Sequence, residues 1–148
     1  MSRAPDARPR PARLYLDTSA YLCILLGEAG SDRLSRDTDG AELLSSVLLV
    51  LEAKRNLVRL ARHGTLTPDR YKAALDRVDE DTSRFVLRDL TLDLCQSMAL
   101  PAVATPRSLD LAHLRTALWF HGASPIDRFV TMDGSQAQAA KELGLPVT

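Results

Sequence analysis

The chain has 148 residues, 45% of them apolar and 26% charged, with 19 basic side chains against 19 acidic ones. Such a length and apolar fraction suit one compact domain, and residues 43–51, the longest apolar run, are broken by Ser45 and Ser46 and fall well short of the ~20 residues of a membrane span. A net charge of zero excludes a nucleic-acid binder that works through an overall basic surplus.

Residues 1–12 carry Pro5, Pro9 and Pro11 among Arg3, Arg8 and Arg10 and contain no apolar signal core. They read as a mobile basic tail ahead of a domain over 13–148, and the protein is expected in the cytoplasm. Leu14-Tyr15-Leu16 is an apolar triplet closed by Asp17, the pattern of a short strand covered on both faces of a parallel sheet. Thr18 and Ser19 then offer caps for a helix over 20–26 that stops before Gly27. Residues 31–40 are turn-rich and give at most a short helix, and 43–47 a second strand.

From 47 to 63 there is neither Pro nor Gly, and Leu49, Ala53, Asn56, Leu57 and Leu60 share one helical stripe. Thr67-Pro68 starts another helix running to about Thr82, with Thr67 as cap and Pro68 in the first turn. Residues 85–87 suggest a strand, 92–100 a short helix, and 108–121 a longer helix ended by Gly122 and Pro125. Residues 129–133 repeat the opening strand and again finish on an acid, Asp133. A helix over 135–143 and a candidate edge strand over 145–147 complete the chain. Strands alternating with helices predict a three-layer α/β/α fold around a mostly parallel sheet of about five strands, with its ligand beyond the carboxyl ends of the strands.

Asp17 and Asp133 would both emerge at that edge. Adjacent carboxylates raise each other's pKa unless a cation lies between them, although capping the next helix would use each Asp equally well. Glu52 sits at the border between the apolar stripe of its helix and the solvated Arg55, Arg59 and Arg62, where it can reach inward or form a surface pair with Arg55 or Asn56. Asp110 occupies the first turn after Ser108, a place the helix dipole favours for any acid. Together, one acid from each of four elements makes a set suited to a hard oxygen-ligand cation and to phosphodiester hydrolysis by a water that the cation activates.

These motifs resemble those of the PIN-domain ribonucleases, and more narrowly the VapC toxins of bacterial toxin–antitoxin pairs. The stretches that carry the likeness are Leu14-Tyr15-Leu16-Asp17-Thr18-Ser19, Glu52 in its helix, residues 108–117 from Ser108-Leu109-Asp110 onward, and Val130-Thr131-Met132-Asp133. The resemblance covers about residues 13–148. It implies a PIN-like fold and a type II toxin that is an endoribonuclease dependent on Mg²⁺ or Mn²⁺. Asp17, Glu52, Asp110 and Asp133 would be the metal ligands and catalytic acids, with Ser19 and Thr131 supporting them. It also implies a homodimer, a transfer or ribosomal RNA substrate, and a cognate antitoxin whose tail blocks the acidic pocket. Whether one or two metals bind is left open, because the segment around Asp110 has a single acid.

A non-catalytic module keeping the scaffold for RNA or protein contact is the alternative. A phosphatase or receiver is disfavoured, because Ser19 stands where the first would place an Asp and the opening strand lacks the acidic pair of the second. Arg55, Arg59 and Arg62 are candidate contacts to the RNA backbone. His113, one turn after Asp110, is expected to be a neutral core histidine or one that supports the acids. His63 and His121 close helices, and Trp119 and Phe120 are expected in core or dimer packing. Asp76, Asp79, Glu80 and Asp81 are read as a solvent face, and Cys23 and Cys95 as buried free thiols. With the four acids set apart, the rest of the chain carries an excess of four positive charges, so neutrality makes RNA binding conditional on the cation.

Overall fold

The computed structural model describes residues 8–96, 103 and 107–147. Four parallel strands, β1 (Arg13–Leu16), β2 (Glu42–Ser46), β3 (Phe85–Arg88) and β4 (Arg128–Val130), form one sheet in the order β3-β2-β1-β4. The helices are α1 (Thr18–Leu26), α2 (Ser31–Thr38), α3 (Leu48–Arg62), α4 (Pro68–Thr82), α5 (Leu92–Gln96), α6 (Ser108–Ala123) and α7 (Gly134–Glu142). None is long and apolar enough to cross a membrane.

The pleat of β1 explains the layers. Leu14 and Leu16 face one side with Ala20 and Cys23 of α1, Leu34 of α2 and Val130. Tyr15 faces the other with Leu114, Ala117 and Phe120 of α6 and Ala139 and Ala140 of α7. Successive side chains of a strand leave opposite faces, so an unbroken apolar triplet needs helices on both, as the sequence pattern anticipated. Tyr15 is fully buried and stacks on Phe129, ring centres 5.4 Å apart and planes 7° from parallel. A third cluster joins Tyr21 of α1 to Leu49, Ala53 and Leu57 of α3 and Val78 of α4, so the helical hairpin packs onto α1.

Sequence and structure differ in a few places. The sheet has four strands among the described residues rather than about five. Residues 145–147 give the sheet one backbone bond, Phe129 N–H to Pro146 O, while the Leu145 N–H is spent on Ala140 O; a proline has no N–H with which to extend a ladder. The last three residues anticipated in the fourth strand, Thr131, Met132 and Asp133, lie beyond its end at Val130. The helix expected over 92–100 is present as Leu92–Gln96, and residues 97–100 lie outside the described residues. Cys23 is buried, but Cys95 on α5 is exposed. Trp119 is 44% exposed, with the Arg88 guanidinium 4.6 Å from its ring centre, and Phe120 alone enters the core. Asp81 is buried rather than solvated: it accepts from Tyr21 Oη at 2.9 Å and from Arg77 Nε at 2.9 Å. Ahead of β1, Arg10 forms a two-pronged pair with Asp127.

Candidate active site

The chain runs from β1 to β2 to β3 in one direction across the sheet and returns to place β4 on the free side of β1. The crevice beyond the carboxyl ends of β1 and β4 is therefore the switch point where open α/β sheets bind ligands. Leu16 is paired with Val130, and the Asp17 N–H donates to Val130 O at 3.1 Å, so Asp17 and Thr131 leave the sheet at one level.

Asp17 is buried, only 5% exposed. It is the N-cap of α1: Oδ1 accepts from the Ala20 N–H at 3.1 Å and the Ser19 hydroxyl at 2.7 Å, and Oδ2 from the Thr131 hydroxyl. The cap is thus Asp17 itself; Thr18 begins the helix and its hydroxyl is spent elsewhere. Burial raises the Asp17 pKa, against hydrogen bonds from Thr131, Ser19 and Ala20 that favour the ion. Asp133 caps α7 through Oδ1, which accepts from the Ser135 and Gln136 N–H groups at 2.8 and 3.4 Å, while its own N–H donates to Thr131 Oγ1 at 3.1 Å. Capping and site-building are therefore not exclusive here. One threonine hydroxyl ties the two strand-end acids together, and Ser19 joins the same knot at 3.2 Å from Thr131 Oγ1.

Glu52 turns inward. Its Oε1 accepts from the Thr18 hydroxyl at 2.8 Å and lies 2.8 Å from His113 Nε2; Asn56 bonds only its backbone carbonyl. The surface pair considered for Glu52 is thus displaced by a site on the neighbouring helices. Burial would raise its pKa, but the hydrogen bonds from His113 and Thr18 and the Arg107 charge pull it below the usual range. Asp110 stands in the first turn of α6, and Gln136 of α7 fixes that turn by donating to the Asp110 carbonyl at 2.8 Å. Its pKa is raised by burial and by the charges of Asp133 and Glu52, against the lowering effect of Arg107. Asp110 therefore lies in the field of both Asp133 and Glu52, and Asp17 is joined to Asp133 through Thr131.

Asp110 Oδ2 is buried without a hydrogen-bond partner, with Arg107 Nε 3.4 Å away. A buried oxygen so placed has capacity for a cation. Among the described residues no three His, Cys, Asp or Glu side chains stand close enough to form a ready cage, because Asp17, Glu52 and Asp133 are each drawn onto neighbouring donors. A small hard cation that keeps several waters and takes only one or two carboxylates directly fits such a dispersed set.

Arg55, Arg59 and Arg62 are exposed on α3, the helix that carries Glu52, and Arg59 donates to Asn56 at 3.3 Å. The sequence reading placed His113 among core or supporting histidines and missed its contact with Glu52, along with the parts played by Thr18, Tyr15 and Gln136. For His113 the available signal was its spacing of three from Asp110, which puts both on one face of α6. For Gln136 it was a polar residue amid the apolar positions of α7.

No protein-family model matches the chain. It is similar to Ribonuclease VapC35 of Mycobacterium tuberculosis, in strain CDC 1551 / Oshkosh and in strain ATCC 25618 / H37Rv. Each is 31% identical over 137 residues, which span 90% of this chain and 94% of the relative.

Proposed function

The chain belongs to the VapC family of PIN-domain ribonucleases, and from that membership we propose that it is a divalent-metal-dependent endoribonuclease, the toxin of a type II toxin–antitoxin pair. The observation that carries the reading is the junction of Asp17 and Asp133 through Thr131 at the sheet's switch point, with Glu52 and Asp110 in electrostatic reach. Asp17, Glu52, Asp110 and Asp133 would hold Mg²⁺ or Mn²⁺, directly or through water. Such a cation acidifies water at neutral pH and offsets the charge that builds on a phosphoryl group under attack.

The chain's own residues do the rest. Ser19 and Thr131 hold the Asp17 carboxylate in one orientation, as Thr18 and His113 hold that of Glu52. Arg55, Arg59 and Arg62 supply backbone-phosphate contacts that place the RNA without reading its bases. The uncompensated acids repel RNA until a cation neutralises them, so binding and cleavage share one requirement. Hydrolysis leaves a 5′-phosphate and a 3′-hydroxyl. A transfer or ribosomal RNA as substrate, a cognate antitoxin that covers the acidic crevice, a homodimer and a cytoplasmic location belong to the same reading.

A non-catalytic RNA- or protein-binding module would keep Asp17 and Asp133 as caps, but it gives no reason to hold Asp110 in the field of both Asp133 and Glu52. Cleavage of structured RNA by the purified chain decides between the two. Wild-type protein should cut with Mg²⁺ or Mn²⁺ and stop in EDTA, and Asp17→Asn and Asp133→Asn should each lose at least about 100-fold, or ~2.7 kcal/mol in the barrier, while remaining folded. Full activity in EDTA, or in both variants, would defeat the proposal.

A further inference from the structure

His113 is 2% exposed, and both of its ring nitrogens are engaged. Nδ1 lies 2.8 Å from Tyr15 Oη; Nε2 lies 2.8 Å from Glu52 Oε1 and 3.1 Å from Thr18 Oγ1. Thr18 Oγ1 is itself 2.8 Å from Glu52 Oε1. An ionised carboxylate only accepts, so the threonine hydroxyl donates to Oε1, and Nε2 must carry a proton or its lone pair would oppose that oxygen. Nδ1 meets the Tyr15 phenol, so both ring nitrogens have a partner inside the protein. Full burial pushes the ionisation of that phenol far above its ordinary range, so it keeps its proton.

We propose that His113 is a positioning residue of the cation site, its ring held by Tyr15, pinning one oxygen of Glu52 so that the carboxylate keeps a single orientation. With both nitrogens spent inside the protein, the ring has no lone pair for a metal and no vacancy for a substrate proton. The relay runs from the sheet core at Tyr15 through α6 to α3, so packing around Tyr15 sets the geometry of a carboxylate on another element. Partners that orient ligating groups in this way are typically worth about 10- to 100-fold in metal affinity or activity. The proposal rests on the reading of Glu52 as part of a cation site.

Mn²⁺ titration by calorimetry, on the full chain in wild-type, His113→Leu and His113→Gln forms, tests it together with ¹⁵N NMR of the wild-type ring. His113→Leu is expected to weaken Mn²⁺ binding by about 10- to 100-fold. His113→Gln, which returns an N–H near the Nε2 position, should recover most of it at comparable thermal stability. The ring should show a proton on Nε2. An unprotonated Nε2 overturns the proposal, as does unchanged Mn²⁺ affinity in His113→Leu. Should that variant fail to fold, the ring's protonation in the wild type decides alone. A wild-type chain that takes up no Mn²⁺ would defeat the nuclease reading and this proposal with it, whereas equal binding by wild type and His113→Leu would defeat only the role of His113.

Discussion

The Thr131 hydroxyl donates to Asp17 Oδ2 and accepts the Asp133 N–H at 3.1 Å, so the acids that follow two adjacent parallel strands hang on one oxygen. Removing that oxygen costs both of them a partner. Thr131→Val should destabilise the fold by about 1–2 kcal/mol, the scale of a lost buried hydrogen bond. It should also slow RNA cleavage by about tenfold or more through loss of orientation, with Thr131→Ser close to wild type. Urea denaturation and cleavage rates measure the two effects. Wild-type rates in Thr131→Val would show that the hydroxyl only shapes the turn.

The acid site also gives the cation-free protein a characteristic response to pH. Asp17 and Asp110 have raised pKa values, burial being the first cause in each. Native protein therefore holds these protons more tightly than unfolded chain. Their contribution to stability is greatest below the usual carboxylate range and is lost as pH climbs through the raised values. Glu52, lowered, acts in the opposite direction and loses its contribution only as pH falls below that range. A bound divalent cation removes the penalty at the top of the range. Added Mn²⁺ should thus raise the melting temperature more at pH 8 than at pH 5, and an equal gain at both would contradict the coupling.

Arg55, Arg59 and Arg62 make a separable electrostatic claim, since all three are exposed and none belongs to the core. Replacing them together with Glu should leave the fold intact and weaken RNA binding. The slope of log affinity against log salt should flatten by about 2, as expected for three single-strand phosphate contacts. Unchanged affinity and slope in the triple variant would remove α3 from the RNA path.

Much of this was readable from residue order. The apolar triplet before Asp17 could satisfy the pleat only if helices covered both faces, which set the fold class, and the strand expected over 129–133 put Asp133 at the same edge. The helical phase of Glu52 left its side chain free to go either way; the missing fact was that Thr18 and His113, distant in sequence, would converge on it. Asp81 was hidden for the same reason. In sequence it sits among Asp76, Asp79 and Glu80, and only the packing of α1 on α4 brings Tyr21 to it. Periodicity reports which face of an element is buried, whereas a hydrogen bond between elements depends on how those faces meet. The tail at 145–147 looked strand-like by composition, but Pro146 has no N–H to donate, and its carbonyl accepts one bond from Phe129.

The central claim is that these four acids make the chain a hydrolase in which water, and not the ribose 2′-hydroxyl, attacks phosphorus. The ends left on a cleaved RNA test it most directly. Products from wild-type protein with Mn²⁺ should carry a 5′-phosphate and a 3′-hydroxyl and should be absent with Asp17→Asn. A 2′,3′-cyclic phosphate with a 5′-hydroxyl, formed equally well in EDTA, would contradict the account.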